Sequence, residues 1–125
     1  MKILVVVEDD LDIQLLVQTV FLRDKRFSVL GGAESAEEGL RLARSSEPGL
    51  IVLDHGLTGE LTGLQAAPRF KKVAPKAKII LFTAHEELRG PADAEPAIDA
   101  FLLKTDVGKL LSLGQRLSGL GPAPG

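Results

Sequence analysis

The sequence predicts one α/β domain, a doubly wound five-stranded parallel sheet with helices on both faces and a short or irregular fourth helix. Three observations lead there. Short apolar runs recur about every two dozen residues, and the continuous ones suit strands buried on both faces. Helix-spaced apolar residues fill the intervals, which is the βα repeat. Polar, chemically able side chains stand directly after four of the five runs, where the strands of such a sheet end.

The elements follow in order. Residues 3–7, Ile-Leu-Val-Val-Val, form the first strand, and Glu8, Asp9 and Asp10 close it. Ile13, Leu16, Val17 and Val20 then stand at i, i+3, i+4 and i+7, a helical stripe. Residues 27–30 form the second strand, closed by Gly31-Gly32. Ser35 with Glu38 three residues later is a capping box, opening a helix that turns Leu40 and Ala43 inward. Pro48-Gly49 ends that unit. The third strand, Leu-Ile-Val-Leu at 50–53, runs into Asp54 and a glycine-rich loop to Gly63. A third helix is expected over 64–73, with Pro68 in its first turn or at a kink. Residues 78–82 form the fourth strand and lead into Thr83-Ala84. Gly90, Pro91 and Pro96 interrupt the fourth helix. Residues 98–103 hold the fifth strand, followed by Lys104. Val107, Leu110, Leu111, Gly114 and Leu117 trace the last helix, weakened by Gly108 and Gly114. The domain is expected to span 1–118, with a frayed Gly/Pro-rich tail at 119–125.

Composition narrows the function classes. The 125 residues suffice for one core without staples. A net charge of −2 predicts no electrostatic affinity for nucleic acid or an anionic membrane. No apolar run approaches a membrane span. The apolar start meets Glu8 too soon for a secretory signal and lacks a cleavage site, so the cytoplasm is the expected location. With no cysteine there is neither a disulfide nor a thiolate nucleophile. His55 and His85, two isolated histidines, make neither a zinc site nor a triad, and no phosphate-binding Gly-Lys-Ser/Thr loop follows a strand.

In a sheet of this kind the strand ends converge. Glu8, Asp9, Asp54, Thr83 and Lys104 would then share one site. Each has an ordinary structural reading: Glu8 to Asp10 as a helix cap, Asp54 and Thr83 as turn or cap residues, Lys104 as a solvated lysine. Together they suggest more. Crowded carboxylates repel one another without a cation, and hard oxygen donors suit Mg²⁺. A lysine and a hydroxyl beside them suit the oxygens of a phosphoryl group, and a carboxylate can itself be the nucleophile.

At these residues the chain resembles the receiver domain of bacterial two-component response regulators. The matching stretches are Val6-Val7-Glu8-Asp9, Ile51-Val52-Leu53-Asp54, Leu81-Phe82-Thr83-Ala84 and Phe101-Leu102-Leu103-Lys104, in family order over nearly the whole chain. The resemblance implies the flavodoxin-like strand order 2-1-3-4-5. It implies Asp54 as phosphoacceptor, with Glu8, Asp9, Asp54 and the Gly56 carbonyl holding Mg²⁺. Thr83, the Ala84 N–H and Lys104 would contact the phosphoryl group, and Thr83 with Phe101 would form the switch. It also implies a histidine kinase or phosphotransfer protein as donor and a downstream protein as receiver of the signal, with a homodimer as a further option. The expected protein is a stand-alone signalling domain, not an enzyme. A degenerate, phosphorylation-independent interaction module is the alternative. A true aspartyl phosphatase is disfavoured because Gly56 stands where such enzymes commonly place a second acid.

The resemblance frays at several points. The family usually has a proline at Thr58 and a cis proline at Thr105, and its loop to Gly63 is a residue shorter. A cis bond before a non-proline costs about 2.5–4 kcal/mol, so a trans bond is expected and Lys104 would aim differently. The interrupted fourth helix puts the usual output face of helix four, strand five and helix five in question. Gly56 and His85 occupy positions that influence phosphoryl lifetime in the family, and the open Gly56 side suggests a short one.

Overall fold

The three central apolar runs, at residues 4–7, 50–53 and 79–82, become strands whose side chains are covered from both sides, while the two edge runs are only partly covered. The computed structural model describes residues 2–123; Met1 and the last two residues of the expected tail, 124 and 125, lie outside them. The strands are β1 (Lys2–Val7), β2 (Phe27–Ala33), β3 (Leu50–Leu53), β4 (Lys78–Thr83) and β5 (Ala100–Leu103). All neighbouring pairs are parallel, in the order β2-β1-β3-β4-β5. The helices are α1 (Leu11–Leu22), α2 (Ala36–Ser46), α3 (Gly63–Val73), α4 (Arg89–Asp93) and α5 (Leu110–Leu117).

The period of two along each strand divides the core. Val5, Val7, Ile51, Leu53, Ile79 and Leu81 pack with Ala36, Ala43, Ala67 and Phe70 beneath α2, α3 and α4. Leu4, Val6, Leu50, Val52, Ile80 and Phe82 pack with Val17, Phe21 and Leu110 beneath α1 and α5. Among the described residues no helix is long and apolar enough to cross a membrane.

Several boundaries differ from the expectation, each for a local reason. β2 continues through Gly31 and Gly32 because its register to β1 jumps from Leu4↔Val29 to Val5↔Gly31. Leu30 is bulged out and exposed, and Gly31 takes φ +138°, which a glycine tolerates. On α1, Val17, Val20 and Phe21 are buried, but Leu16 is exposed. Leucines cover more than one face of α1, so pattern alone did not select the packed face. Ser35 caps α2 by accepting from the Glu38 N–H at 3.2 Å, without the reciprocal half of a capping box. The complete box lies on α3, where Thr62 and Gln65 exchange bonds at 3.2 and 3.0 Å. α3 therefore starts at Gly63, and Pro68 falls in its second turn rather than its first.

The interrupted segment forms a 3-10 turn over Glu86–Leu88 and then the five-residue α4. β5 starts two residues later than expected because the Ile98 N–H donates to Glu95 O in a turn. Val107 lies in a 3-10 segment, Lys104–Lys109, that precedes α5. Gly114, expected to weaken α5, lets it approach the sheet: a Cβ there would stand 2.6 Å from Phe21 and 3.0 Å from Leu50. Past α5, Leu120 packs on the second core cluster, and Gly121 O accepts from the Arg26 guanidinium at 2.6 Å.

Candidate functional site

Strand order reverses between β1 and β3, so the crevice outside their carboxyl ends is where a ligand is expected. Register brings the two ends level, with Val7 paired to Leu53. The Asp54 N–H donates to Val7 O at 2.9 Å, and the Glu8 N–H to Ala33 O at 2.8 Å. Glu8 and Asp54 thus leave adjacent strands side by side, and both are buried. Asp9 is exposed beside them. Carboxylate oxygens of Glu8, Asp9 and Asp54 all lie within 4.8 Å of one another.

The acidic run after β1 divides its labour. Asp10 is the cap of α1, its Oδ1 accepting from the Asp12 N–H at 2.9 Å and the Ile13 N–H at 3.3 Å. Glu8 turns the other way, toward Lys104. β4 and β5 extend the pairing two residues beyond Leu53↔Leu81 to Thr83↔Leu103, so Lys104 starts from a more advanced position and reaches back. Its Nζ stands 2.7 Å from Glu8 Oε1 and 3.1 Å from Asp54 Oδ2. The described residues contain no cis peptide bond, so Lys104 makes this reach without the family's cis proline. The approach to Glu8 is close in distance but poorly angled, and Glu8 Oε1 is buried without a well-formed hydrogen bond.

Burial sets the charges. It pushes the Glu8 carboxyl up to about 7, against the Lys104 contact, and the neighbouring Asp54 adds to the rise. Burial also works against the Lys104 ammonium, but Glu8 and Asp54 outweigh it and hold its pKa above the ordinary value. His55 is held below its ordinary value chiefly by burial, and its Nδ1 is buried without a partner. Asp54 Oδ1 accepts the His55 N–H at 2.8 Å, which fixes the carboxylate's orientation.

The remaining predicted residues line the rim. Thr83 is fully buried, and its Oγ1 accepts the His85 N–H at 3.2 Å. Ala84 and Gly56 are exposed, and nothing lies within 4 Å of where a Gly56 side chain would begin. Phe101 is half-buried against α4, with the Arg89 guanidinium 4.6 Å from its ring centre. His85 points outward and pairs with Glu87 at 3.1 Å. Thr58, in the family's proline position, donates its hydroxyl to Glu34 O at 3.0 Å and joins an isolated bridge with Ser35.

Two supporting residues were not read from the sequence. Gln14 donates its side-chain amide to Glu8 O at 3.0 Å and Ala33 O at 3.3 Å, bracing the acidic strand end from α1. Gly63 closes the loop after Asp54: its N–H donates to His55 O at 3.0 Å, and a Cβ there would collide with the Asp54 carbonyl. Gly63 had a visible signal, a glycine next to a capping threonine. Gln14 had none, because its contacts depend on how α1 packs against the ends of β1 and β2.

The family model described as the response regulator receiver domain matches residues 4–112. The nitrate/nitrite response regulator protein NarL of Escherichia coli K12 is 34% identical over 62 residues, 48% of this chain and 28% of that protein. The transcriptional activator protein ExaE of Pseudomonas putida is 34% identical over 56 residues, 45% of this chain and 26% of its own. The chain spans less than two fifths of the curated relatives it matches. Among solved structures, response regulator protein TrrA of Thermotoga maritima, in complex with Mg²⁺-BeF, is 30% identical with a TM-score of 0.80. It is matched over 94% of this chain and 99% of its own. A LuxR-family DNA-binding response regulator of Staphylococcus aureus shares the fold at a TM-score of 0.84 and 19% identity, covering 94% and 99%. With that fold, this strand-end site and a match from β1 into α5, the chain belongs to the response regulator receiver domain family.

Proposed function

We propose that this receiver takes a phosphoryl group on Asp54 from a phosphohistidine of a histidine kinase or phosphotransfer protein, in the presence of Mg²⁺. The observation that carries the reading is the convergence of Lys104 on Asp54 and Glu8 from a third strand, at 3.1 and 2.7 Å. A structural salt bridge needs only one carboxylate. Here two buried carboxylates share one ammonium and a third, Asp9, lies within 4.8 Å of both, leaving negative charge for a cation to neutralise.

The donor set fits Mg²⁺. Glu8, Asp9 and Asp54 offer hard oxygens in mutual reach, and buried Glu8 Oε1 lacks a well-formed hydrogen bond. The Gly56 carbonyl would complete the protein's share. When bound, the ion offsets the charge of the carboxylates and the incoming phosphate oxygens. An oxygen of Asp54 attacks the phosphorus. The O–P bond forms as the P–N bond to the donor imidazole breaks, and the ring leaves neutral when its other nitrogen carries a proton. Lys104, kept cationic by its neighbours, transfers its contact to the phosphoryl oxygens, joined by the Thr83 hydroxyl and the Ala84 N–H. Occupancy then biases the packing of Thr83 and Phe101, and so the surface around α4 and β5. With a net charge of −2, the output is contact with another protein surface or a further domain.

The test is intact mass after incubation with acetyl phosphate, with and without Mg²⁺, for wild type and Asp54→Ala. The expected result is a Mg²⁺-dependent gain of one phosphoryl group in wild type and none in the variant. No gain together with weak Mg²⁺ binding would favour the phosphorylation-independent module, the reading supported by the five-residue α4.

A further inference from the structure

α1 carries a polar side chain on the face it packs against the sheet. Gln14, Val17 and Phe21 follow one another at steps of 3 and 4, so they share one side of the helix, and Val17 and Phe21 are buried. A half-buried amide on that side is costly unless its N–H groups are bonded. Here Nε2 donates to Glu8 O at 3.0 Å and to Ala33 O at 3.3 Å. Only the nitrogen of an amide can face two carbonyls, so the orientation is fixed, and Oε1 accepts from the Gln18 amide at 3.4 Å.

The two carbonyls differ in what they control. Ala33 O also accepts the Glu8 N–H, and a tie between α1 and the sheet accounts for it. Glu8 O lies beyond the end of β1 and belongs to the peptide joining Glu8 to Asp9. Holding that peptide plane sets the direction in which the Asp9 side chain leaves the backbone. Glu8 has Lys104 and the Asp10 N–H to orient it, and Asp54 has Lys104 and the His55 N–H. Asp9 is exposed, and no hydrogen bond or ion pair among the described residues orients its carboxylate. Its aim depends on its backbone.

We propose that Gln14 is a positioning residue of the metal centre: its amide, in the place that Gly32 leaves clear, holds the Glu8–Asp9 peptide and so aims the Asp9 carboxylate at a cation shared with Glu8 and Asp54. The assignment rests on the reading of that site as a Mg²⁺ centre. Removing an outer partner that orients a metal ligand costs about 10–100-fold in affinity. Gln14 acts through a peptide rather than on a ligand atom, so its loss belongs at the low end, about tenfold.

Gly32 supplies an independent handle. A Cβ there would collide with the Gln14 side-chain amide. Gly32 is not among the positive-φ glycines, so its backbone accepts alanine and the flexible Gln14 side chain is what must move. Gly32→Ala therefore dislodges the amide without altering Gln14 or any acidic residue.

The test measures Mg²⁺ affinity by NMR titration, and acetyl phosphate labelling against Mg²⁺ concentration, for wild type, Gln14→Met, Gln14→Ala, Gly32→Ala and the double variant Gln14→Ala with Gly32→Ala. Gln14→Met keeps the bulk and removes the donor. It and Gly32→Ala are each expected to weaken Mg²⁺ binding about tenfold. The Mg²⁺ concentration for half-maximal labelling should rise by the same factor, with the rate at saturating Mg²⁺ kept. Gln14→Ala should weaken binding equally, and adding Gly32→Ala to it should cost nothing further, because the shortened side chain leaves room for the methyl group. Circular dichroism is expected to show every variant folded at the titration temperature. A wild type that binds no Mg²⁺ overturns the metal reading of the site and this proposal with it. Binding by wild type and equal binding by Gln14→Met overturns the role of Gln14 alone, whatever its effect on stability. Additive losses in the double variant overturn the coupling of Gly32 to Gln14.

Discussion

Lys104 at the end of β5 reaches Asp54 at the end of β3 across the intervening β4, its Nζ 3.1 Å from Asp54 Oδ2 and 2.7 Å from Glu8 Oε1. One ammonium therefore holds two buried carboxylates together, and three strand ends depend on it.

Replacing Lys104 with Met keeps much of the side chain's bulk and removes its charge. Glu8 and Asp54 would then face each other unpaired, and breaking such a pair costs about 1–3 kcal/mol where some solvent remains. Urea unfolding at pH 8 is expected to show that loss, with part of it restored by millimolar Mg²⁺. Stability unchanged from wild type would mean that the lysine contributes nothing to the folded site.

Glu8 supplies a pH dependence with a definite sign. Its carboxyl rises from 4.5 in the unfolded chain to about 7 in the folded one, mainly through burial. The folded state thus prefers the protonated form, and this contribution to stability is full below pH 4.5 and lost as pH rises through 7. His55 opposes it, since a ring held below 6.5 disfavours folding in acid. The Glu8 part is isolated by comparison with Glu8→Gln, whose unfolding free energy should fall less between pH 5 and 8. Mg²⁺ requires the carboxylate, so its affinity for wild type should increase from pH 6 to pH 8 with uptake of the ion releasing protons. Calorimetric titration in two buffers of different ionisation heat measures that release.

Gly63 has no room for a side chain against the Asp54 carbonyl. Gly63→Ala should open the loop after β3 and cost about 3 kcal/mol, the upper end of overpacking, despite alanine's better helix propensity. Mg²⁺ affinity should fall in parallel, because the same peptide positions Asp54. Thermal unfolding and Mg²⁺ titration on one sample separate a local rearrangement from general loss of fold.

Arg89 over Phe101 is a surface cation–π contact at 4.6 Å, worth about 0.5–1 kcal/mol. Arg89→Ala should lower stability by no more than that while freeing the half-buried ring. Faster flipping of Phe101, seen by NMR of labelled phenylalanine, is the expected sign. An unchanged flip rate would show that β5 and α4 hold the ring without the arginine.

The architecture was legible in the sequence because its signals are local. Runs such as 50–53 and 79–82 are apolar on every residue, and only a strand covered on both faces makes use of that. The site was legible for the same reason, since parallel strands deliver whatever follows each run to one end of the sheet. The division of the acidic run was not. Asp10 serves the helix while Glu8 meets Lys104, a contact between residues 96 positions apart that follows from β4 and β5 running beyond β3. The reach of Lys104 without a cis proline, the exposure of Leu16 and the bulge at Leu30 likewise belong to the packed chain. Sequence alone settled which residues arrive at the strand ends, because alternation and helix period act within a few residues. Tertiary structure decided which of them touch, because register, helix rotation and close approach at Gly63 and Gly114 are set between segments.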